Sequence, residues 1–344
     1  MDKSLKLYTH KPLIAHLPQD AALLSIIGNT PDEYSWVMNN FVNIRVNSKL
    51  QYDDFYREDM WYNCYYIEDN SMTKQFILSN FSDFIVFIMN CIDNGYYILP
   101  YLNKRQIRAY NFDIDARHSP LIYGYDPRRR IVYLCDFFSE HYVPSTATFD
   151  EIRHAIDYVE QDHEWYPYKL FHILKKKRDY KHKFDLSSLI KQLEDYFTSE
   201  NKIGTYDQFQ TNDMEEKLFF GVEDYKTTAF GIASYDVLIH VIEEKTAWIQ
   251  LFFLFRAHKI IMRYRLKYLD QKYGLPEFKQ LYELNEQMER LGTINQNLYI
   301  KSLLSPQSCW IDKAIDNALM MKDIDESFTG KLIESLKRLE MHST

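Results

Sequence analysis

Two textures of apolar and polar positions alternate along the chain. Through the first 50 residues the apolar positions fall at helical spacing. The run from Ala21 to Ile27 is compact and apolar, follows Gln19-Asp20, and is closed by Gly28-Asn29-Thr30-Pro31. Thr30-Pro31-Asp32-Glu33 has the form of a capping box with proline in the first turn. It predicts a second helix that carries Tyr34, Trp36, Val37, Phe41 and Val42 to a core. Residues 73–92 repeat the pattern, with Phe76, Ile77, Phe81, Phe84, Ile85 and Ile88 three and four apart, and predict one helix.

The period then changes. Tyr96-Tyr97-Ile98-Leu99, Pro120-Leu121-Ile122-Tyr123 and Ile131-Val132-Tyr133-Leu134 are short β-rich runs punctuated by Asn94-Gly95, Gly124 and Asp126-Pro127. They read as neighbouring antiparallel strands. After about residue 150 the helical period returns and persists, apart from an unassigned patch near 203–222. Trp248, Leu251, Phe252, Phe255 and Met262 form one stripe, and Phe278, Leu281, Leu284 and Met288 another. The expectation is an α+β protein of two domains. Residues 1–150 would hold an N-terminal helix with a small antiparallel sheet, and residues 151–344 a large helical region.

Composition removes several chemistries. The 344 residues include only nine glycines, no two closer than ten positions. A phosphate-binding loop or a dinucleotide fingerprint needs several glycines within a few positions, so both are excluded. The four cysteines (64, 91, 135 and 309) contain no C-x-x-C pair, which argues against zinc ribbons and thioredoxin-like redox motifs. His163-Glu164 lacks a second histidine four residues on and is not a zincin helix. The N-terminal residues have no apolar core of a secretory signal. The longest apolar stretch, residues 247–255, contains Gln250, runs into Arg256 and is too short to span a bilayer. A reduced, soluble, cytoplasmic protein is expected. A net charge of −8 argues against nucleic acid as the main partner. The strong basic run is Lys175-Lys176-Lys177-Arg178-Asp179-Tyr180-Lys181-His182-Lys183. It reads either as a solvated helix end or linker, or as a docking patch for an acidic partner. The 28 tyrosines, 22 phenylalanines and 5 tryptophans read as an aromatic core, since no basic stripe accompanies them.

One constellation stands out. If the turn after the second β-rich run centres on Arg128, Pro120 faces Asp136 across a hairpin. His118, two residues from Pro120, shares its sheet face and becomes a diagonal neighbour of Asp136. A histidine oriented by a carboxylate on the next strand is a general base. The inference depends on register, since a slip of one residue puts the two on opposite faces.

The surrounding residues carry a family resemblance. Asp93-Asn94-Gly95-Tyr96-Tyr97-Ile98-Leu99-Pro100, then His118, Ile122-Tyr123-Gly124-Tyr125-Asp126 and Val132-Tyr133-Leu134-Cys135-Asp136-Phe137 resemble the papain-like family typified by the N-terminal domain of butirosin biosynthesis protein H. The bacteriocin leader peptidases are more distant relatives. The likeness covers residues 93–138, extends to 19–45 through Trp36 and Asn40-Phe41, and is weak over the helical half. It implies a papain-like core in which a helix begins with a catalytic cysteine, and His118 serves as base and later acid with Asp136 orienting it. Gln19 would support the oxyanion. The implied chemistry moves an acyl group from the phosphopantetheine thiol of an acyl or peptidyl carrier protein onto an amine, in a nonribosomal-peptide-type antibiotic pathway. No cofactor of the protein's own is implied. An acidic carrier could dock at Lys175, Lys176, Lys177 and Arg178.

The chain departs from the pattern at the nucleophile. The position expected for cysteine, after Gln19-Asp20, reads Ala21. Either the sequence is a nucleophile-to-alanine variant of an active protein, or it is a natural member that has lost the chemistry and kept the binding surface. Cys309, between Gln307-Ser308 and Trp310 at a predicted helix start, is the alternative nucleophile, although it follows the histidine in chain order. Three readings stay open: an acyltransferase, a non-catalytic scaffold for a carrier protein or acyl chain, and a cysteine peptidase or thioester hydrolase.

Overall fold

The computed structural model describes residues 3–49, 51–55, 64–138, 141–157, 170–177, 180–200, 228–274, 277–305 and 309–343. Among them the chain begins with β1 (Leu5–Lys6), α1 (Pro18–Ile26), α2 (Pro31–Asn39), β2 (Ile44–Asn47), β3 (Tyr52–Phe55) and β4 (Ile67–Thr73). It continues with α3 (Lys74–Asn80), α4 (Phe84–Asp93), β5 (Tyr96–Pro100), β6 (Leu102–Asn103), β7 (Arg117–His118), β8 (Leu121–Asp126), β9 (Ile131–Phe138) and β10 (His141–Thr148). Then come α5 (Phe149–Asp157), β11 (Leu170–Lys176), α6 (Leu186–Thr198), β12 (Thr228–Phe230) and α7 (Ser234–Glu243). Three long helices close the chain: α8 (Ile249–Tyr273), α9 (Phe278–Leu304) and α10 (Cys309–Ser343). The protein is α+β, with antiparallel sheets. The patch 203–222, His163-Glu164, Arg178-Asp179 and Gln307 lie outside the described residues.

Contacts divide the chain into two compact units, residues 1–34 with 59–182 and residues 35–58 with 183–344. This differs from the expected single cut at 150. The strands β2 and β3 belong to the helical unit, and α5 and β11 to the sheet unit.

In the sheet unit, strands run in the order β10-β9-β8-β5-β11-β4, with β1 also beside β8. Every pairing is antiparallel. Ile98, Ile122, Val132, Leu134, Phe138, Phe171 and Ile173 build a core with Phe84, Ile85, Phe87, Ile88 and Ile92 of α4 and Ile152, Ala155 and Ile156 of α5. The single helix expected over 73–92 is corrected to two, α3 and α4, bent by 86°. Asp83 causes the break. Its backbone is extended (φ −166°, ψ 153°), and its carboxylate accepts the Ile85 N–H as an N-cap. Arg153 of α5 holds the same carboxylate through Nε at 2.8 Å and Nη2 at 2.5 Å. The second expected helix begins as read: the Glu33 N–H donates to Thr30 Oγ1, and Glu33 Oε2 accepts from the N–H groups of Gly28, Asn29 and Thr30.

Two strands depart from the expected helices. All four residues of β2 are buried, Arg45 included, so its sequence has no alternation to reveal a strand. Arg45 can be buried because Asp54 of β3 takes its Nε and Nη2 at 2.7 and 2.9 Å. Likewise β11 lies between β5 and β4, with Phe171 to Leu174 buried. The basic run is therefore not a helix end: Lys175 and Lys176 finish a strand.

In the helical unit β12-β2-β3 form a small sheet, and the predicted apolar stripes lie on α8 and α9. Arg265 of α8 is fully buried and caps the end of α2, donating Nε to Met38 O at 2.8 Å and Nη2 to Asn40 O and Phe41 O. Deeper in the unit, Asp325 of α10 receives the Lys259 ammonium together with the hydroxyls of Tyr196 at 2.6 Å and Tyr235 at 3.1 Å. Lys259 and Asp325 have no solvent exposure. Burial pushes both tyrosine hydroxyls well above their ordinary pKa, with the Asp325 charge adding to it, and burial pulls Lys259 down. Among the described residues no single helix is long and apolar enough to cross a membrane.

Candidate active site

The β8–β9 hairpin positions the leading pair of residues. Asp126 Oδ1 accepts the N–H groups of Arg128 and Arg129 at 3.0 Å, and Arg130 takes φ +54° to complete the turn. Next to the turn the partners are Asp126 with Ile131, Tyr125 with Val132 and Gly124 with Tyr133. The register then shifts, and Ile122 faces Leu134 while Leu121 faces Cys135. The extra residue, Tyr123, is a β-bulge. Without it the turn's own register would carry on and put His118 and Asp136 on opposite faces. The expected pairing thus arises from a bulge that the reading from Arg128 did not include. Gly124 adjoins that bulge for a reason: β1 runs beside it, and a Cβ there would sit 2.6 Å from Leu5 O.

His118 ends β7, which pairs with β6. Its Nδ1 lies 2.5 Å from Asp136 Oδ2. Asp136 is completely buried, while the His118 side chain is 23% exposed. Two more donors fix the carboxylate: the Tyr110 hydroxyl on Oδ2 and the Phe137 N–H on Oδ1 at 2.8 Å. Tyr110 comes from a single 3₁₀ turn, Arg108–Tyr110, ended by Asn111 at φ 48°. Its ring meets the His118 ring edge-on at 5.7 Å. Burial, then the Asp136 charge, raises the Tyr110 hydroxyl well above its ordinary pKa, so it remains a donor. With Nδ1–H given to the carboxylate, the Nε2 lone pair of His118 is available as a base, and among the described residues Nε2 has no hydrogen-bond partner.

Beside this pair opens a pocket of about 490 Å³ lined by Lys104, Tyr110, Asn111, Phe112, Phe137 and Phe138. The Lys104 ammonium sits 3.6 Å from the Phe112 ring centroid. Burial lowers its pKa, and the Asp136 charge acts in the opposite sense.

Of the other candidate residues, Gln19 and Ala21 lie on α1, a helix that packs against β9. The helix expected to start at Ala21 starts at Pro18, with Leu17 as N-cap. Ala21 is therefore in the helix interior, fully buried, and its N–H is already bonded to Leu17 O at 3.1 Å. That N–H cannot serve an oxyanion, and the residue at the helix mouth is the half-buried Leu17. Gln19 is half-buried with its Oε1 lacking a partner among the described residues. Neither Gln19 nor Ala21 hydrogen-bonds to His118 or Asp136. Burial pushes the thiols of Cys64, Cys91 and Cys135 up to about 12. Cys135 also points to the face opposite Asp136. Cys309 is exposed at the first residue of α10 and belongs to the helical unit, whereas His118 belongs to the sheet unit. Within the basic run, Lys176 Nζ is 2.6 Å from Glu33 Oε1 and Lys175 lies 4.6 Å from the Tyr96 ring centroid, while Lys177 is exposed.

Sequence reasoning missed Tyr110 and Lys104, which sit in a segment with neither period. It also missed a second histidine–carboxylate pair, His16 Nδ1 to Asp20 Oδ2 at 2.9 Å with both side chains fully buried. That pair had a readable signal, a spacing of four across a helix start. Among the described residues no group of three or more histidine, cysteine, aspartate or glutamate side chains could hold a metal ion. No family model matches the chain, and no curated protein matches it.

Proposed function

We propose that the sheet unit is a papain-like acyl-transfer module in which His118 acts as general base on the acceptor amine, and that transfer is direct, without an acyl-enzyme. The observation that carries this reading is the His118–Asp136 contact, with Nδ1 fixed and Nε2 facing no competing partner. As the amine nitrogen attacks the thioester carbonyl of a carrier-bound acyl group, Nε2 takes the amine proton. The tetrahedral intermediate collapses, the C–S bond breaks, and the departing pantetheine sulfur takes the proton from the imidazolium. The products are an amide and a free carrier thiol, and His118 returns to its starting form. Direct transfer is favoured over a covalent intermediate because alanine stands at the nucleophile's expected position, inside a helix, and the three buried thiols are held protonated. Lys177 is the exposed basic side chain of the three lysines proposed to meet an acidic carrier.

The buried alanine equally favours a second reading, a scaffold that holds the carrier or its acyl chain without turnover. The two separate in one assay. With an acyl-carrier thioester and an amine, the wild type should form amide with no acyl-protein adduct in the mass spectrum. His118→Gln should slow it by about 10²–10⁴-fold, the usual worth of a positioned base. No amide above the uncatalysed background from either wild type or His118→Gln, with carrier binding intact, would establish the scaffold.

A further inference from the structure

We propose that the pocket beside His118 binds aromatic carboxylates, with the ring among Tyr110, Phe112 and Phe138 and the carboxylate on the Lys104 ammonium. The inference rests on the acyl-transfer reading only for the ligand's role as the acyl group's side chain, since binding itself needs no turnover.

The walls set the first requirement. A volume of about 490 Å³ accommodates a benzenoid ring with a short substituent. Tyr110 and Phe138 already pack with ring centroids 4.7 Å apart, and Phe112 is 37% exposed with its ring against the Lys104 ammonium. A planar ligand can extend this cluster by offset or edge contacts.

The charges set the second requirement. Lys104 is anchored by its N–H to Ala116 O at 2.9 Å, and its side chain is half-buried. Among the described residues the ammonium has the Phe112 ring as its contact and no ion-pair partner. The acids around it are occupied. Asp136 Oδ2 is covered by His118 and Tyr110, and Asp115 takes Arg105 at 3.3 Å and Asn103 at 3.0 Å. Among the described residues no carboxylate lines the pocket. A partly desolvated ammonium facing aromatic walls selects a ligand that brings its own anion.

The test uses the full chain with phenylacetate, its neutral counterpart phenylacetamide, and the non-aromatic cyclohexylacetate, followed by calorimetry or by NMR shifts of Ala109 and Asn111. Phenylacetate should bind about tenfold more tightly than either comparison compound, a difference of about 1.4 kcal/mol. Lys104→Gln should erase the preference for phenylacetate over phenylacetamide. Phe112→Leu, at an exposed position that folding tolerates, should weaken both aromatic probes. His118→Gln should leave phenylacetate affinity within about twofold while slowing acyl transfer about 10²–10⁴-fold, so that failure of the transfer reading is seen separately from failure of the pocket. Equal binding of phenylacetate and phenylacetamide to the wild type, or binding of neither, overturns the proposal.

Discussion

Each unit of this protein holds a carboxylate fully hidden from water at the centre of a hydrogen-bond network, Asp325 in one and Asp136 in the other, and the two are surrounded differently. In the helical unit Asp325 is enclosed with Lys259, Tyr196 and Tyr235, and Thr329 supplies a further hydroxyl at 3.3 Å. Lys259 and the two tyrosines converge on Oδ2 while Thr329 takes Oδ1, and solvent reaches none of the charged atoms. In the sheet unit Asp136 is just as deeply buried, but one of its donors is an imidazole whose other nitrogen is uncommitted and whose ring is partly exposed. A buried charge whose partners are all internal can hold a fold together but has nothing to offer a substrate. The same charge with one partner reaching solvent transmits its orientation outward, and that distinguishes a base from a strut.

Removing one member of the sealed network tests this contrast most severely. Lys259→Met strands a buried carboxylate and should destabilise the helical unit by about 3–5 kcal/mol, whereas Lys259→Met with Asp325→Leu should recover most of that loss. Urea unfolding of the three proteins checks it. If the single variant is as stable as the wild type, the network carries little of the fold's stability.

Alkaline pH should separate the units next. Tyrosines raised by burial keep their protons in the fold, whereas in the unfolded chain they lose them near pH 10. Their stabilisation is therefore present below that pH and lost as pH climbs through their folded values. In the sheet unit these are Tyr66, Tyr96, Tyr110, Tyr123, Tyr125 and Tyr142, with Tyr123 and Tyr125 pushed to about 12. In the helical unit Tyr196, Tyr235, Tyr273 and Tyr299 act likewise, but the lowered Lys259 works the other way. The fold binds fewer protons there than the unfolded chain does, so its contribution improves as pH approaches the ordinary lysine value. Pulse proteolysis between pH 9 and 12 should cut the sheet unit first, and the opposite order would show that tyrosine burial does not govern alkaline stability.

Asp136→Asn is milder for the fold. It retains the shape but weakens three hydrogen bonds at a buried site, at a cost of about 1–3 kcal/mol in thermal unfolding. The smallest effect is expected at the capping box, where Thr30→Ala should cost about 1 kcal/mol. A loss there as large as that of Lys259→Met would mean that Glu33, which also holds Lys176, carries more of the sheet unit than its cap.

The legible parts of the fold were those with local chemistry. Asp126-Pro127 between two short β-rich runs announced the β8–β9 hairpin, and Thr30 with Glu33 announced α2. Asp83 after Ser82 was a readable cap that an unbroken apolar period concealed. Pro18, the first residue of α1, likewise marked a helix start that the apolar run beginning at Ala21 obscured. Strands β2 and β11 were illegible because they are buried on both faces, where periodicity cannot separate strand from helix. The His118–Asp136 contact was legible in outline only, since the bulge at Tyr123 that brings the pair to one face has no local sequence signal. Lys259 and Asp325 lie 66 residues apart on separate helices, with no local signal joining them.

The central claim concerns a single proton on a single ring. Nitrogen-15 NMR of the His118 imidazole should find the neutral ring protonated at Nδ1, with Nε2 showing the shift of a bare acceptor, and Asp136→Asn should abolish that preference. A ring protonated at Nε2 in the wild type, unchanged by Asp136→Asn, would contradict the assignment of His118 as a base held by Asp136.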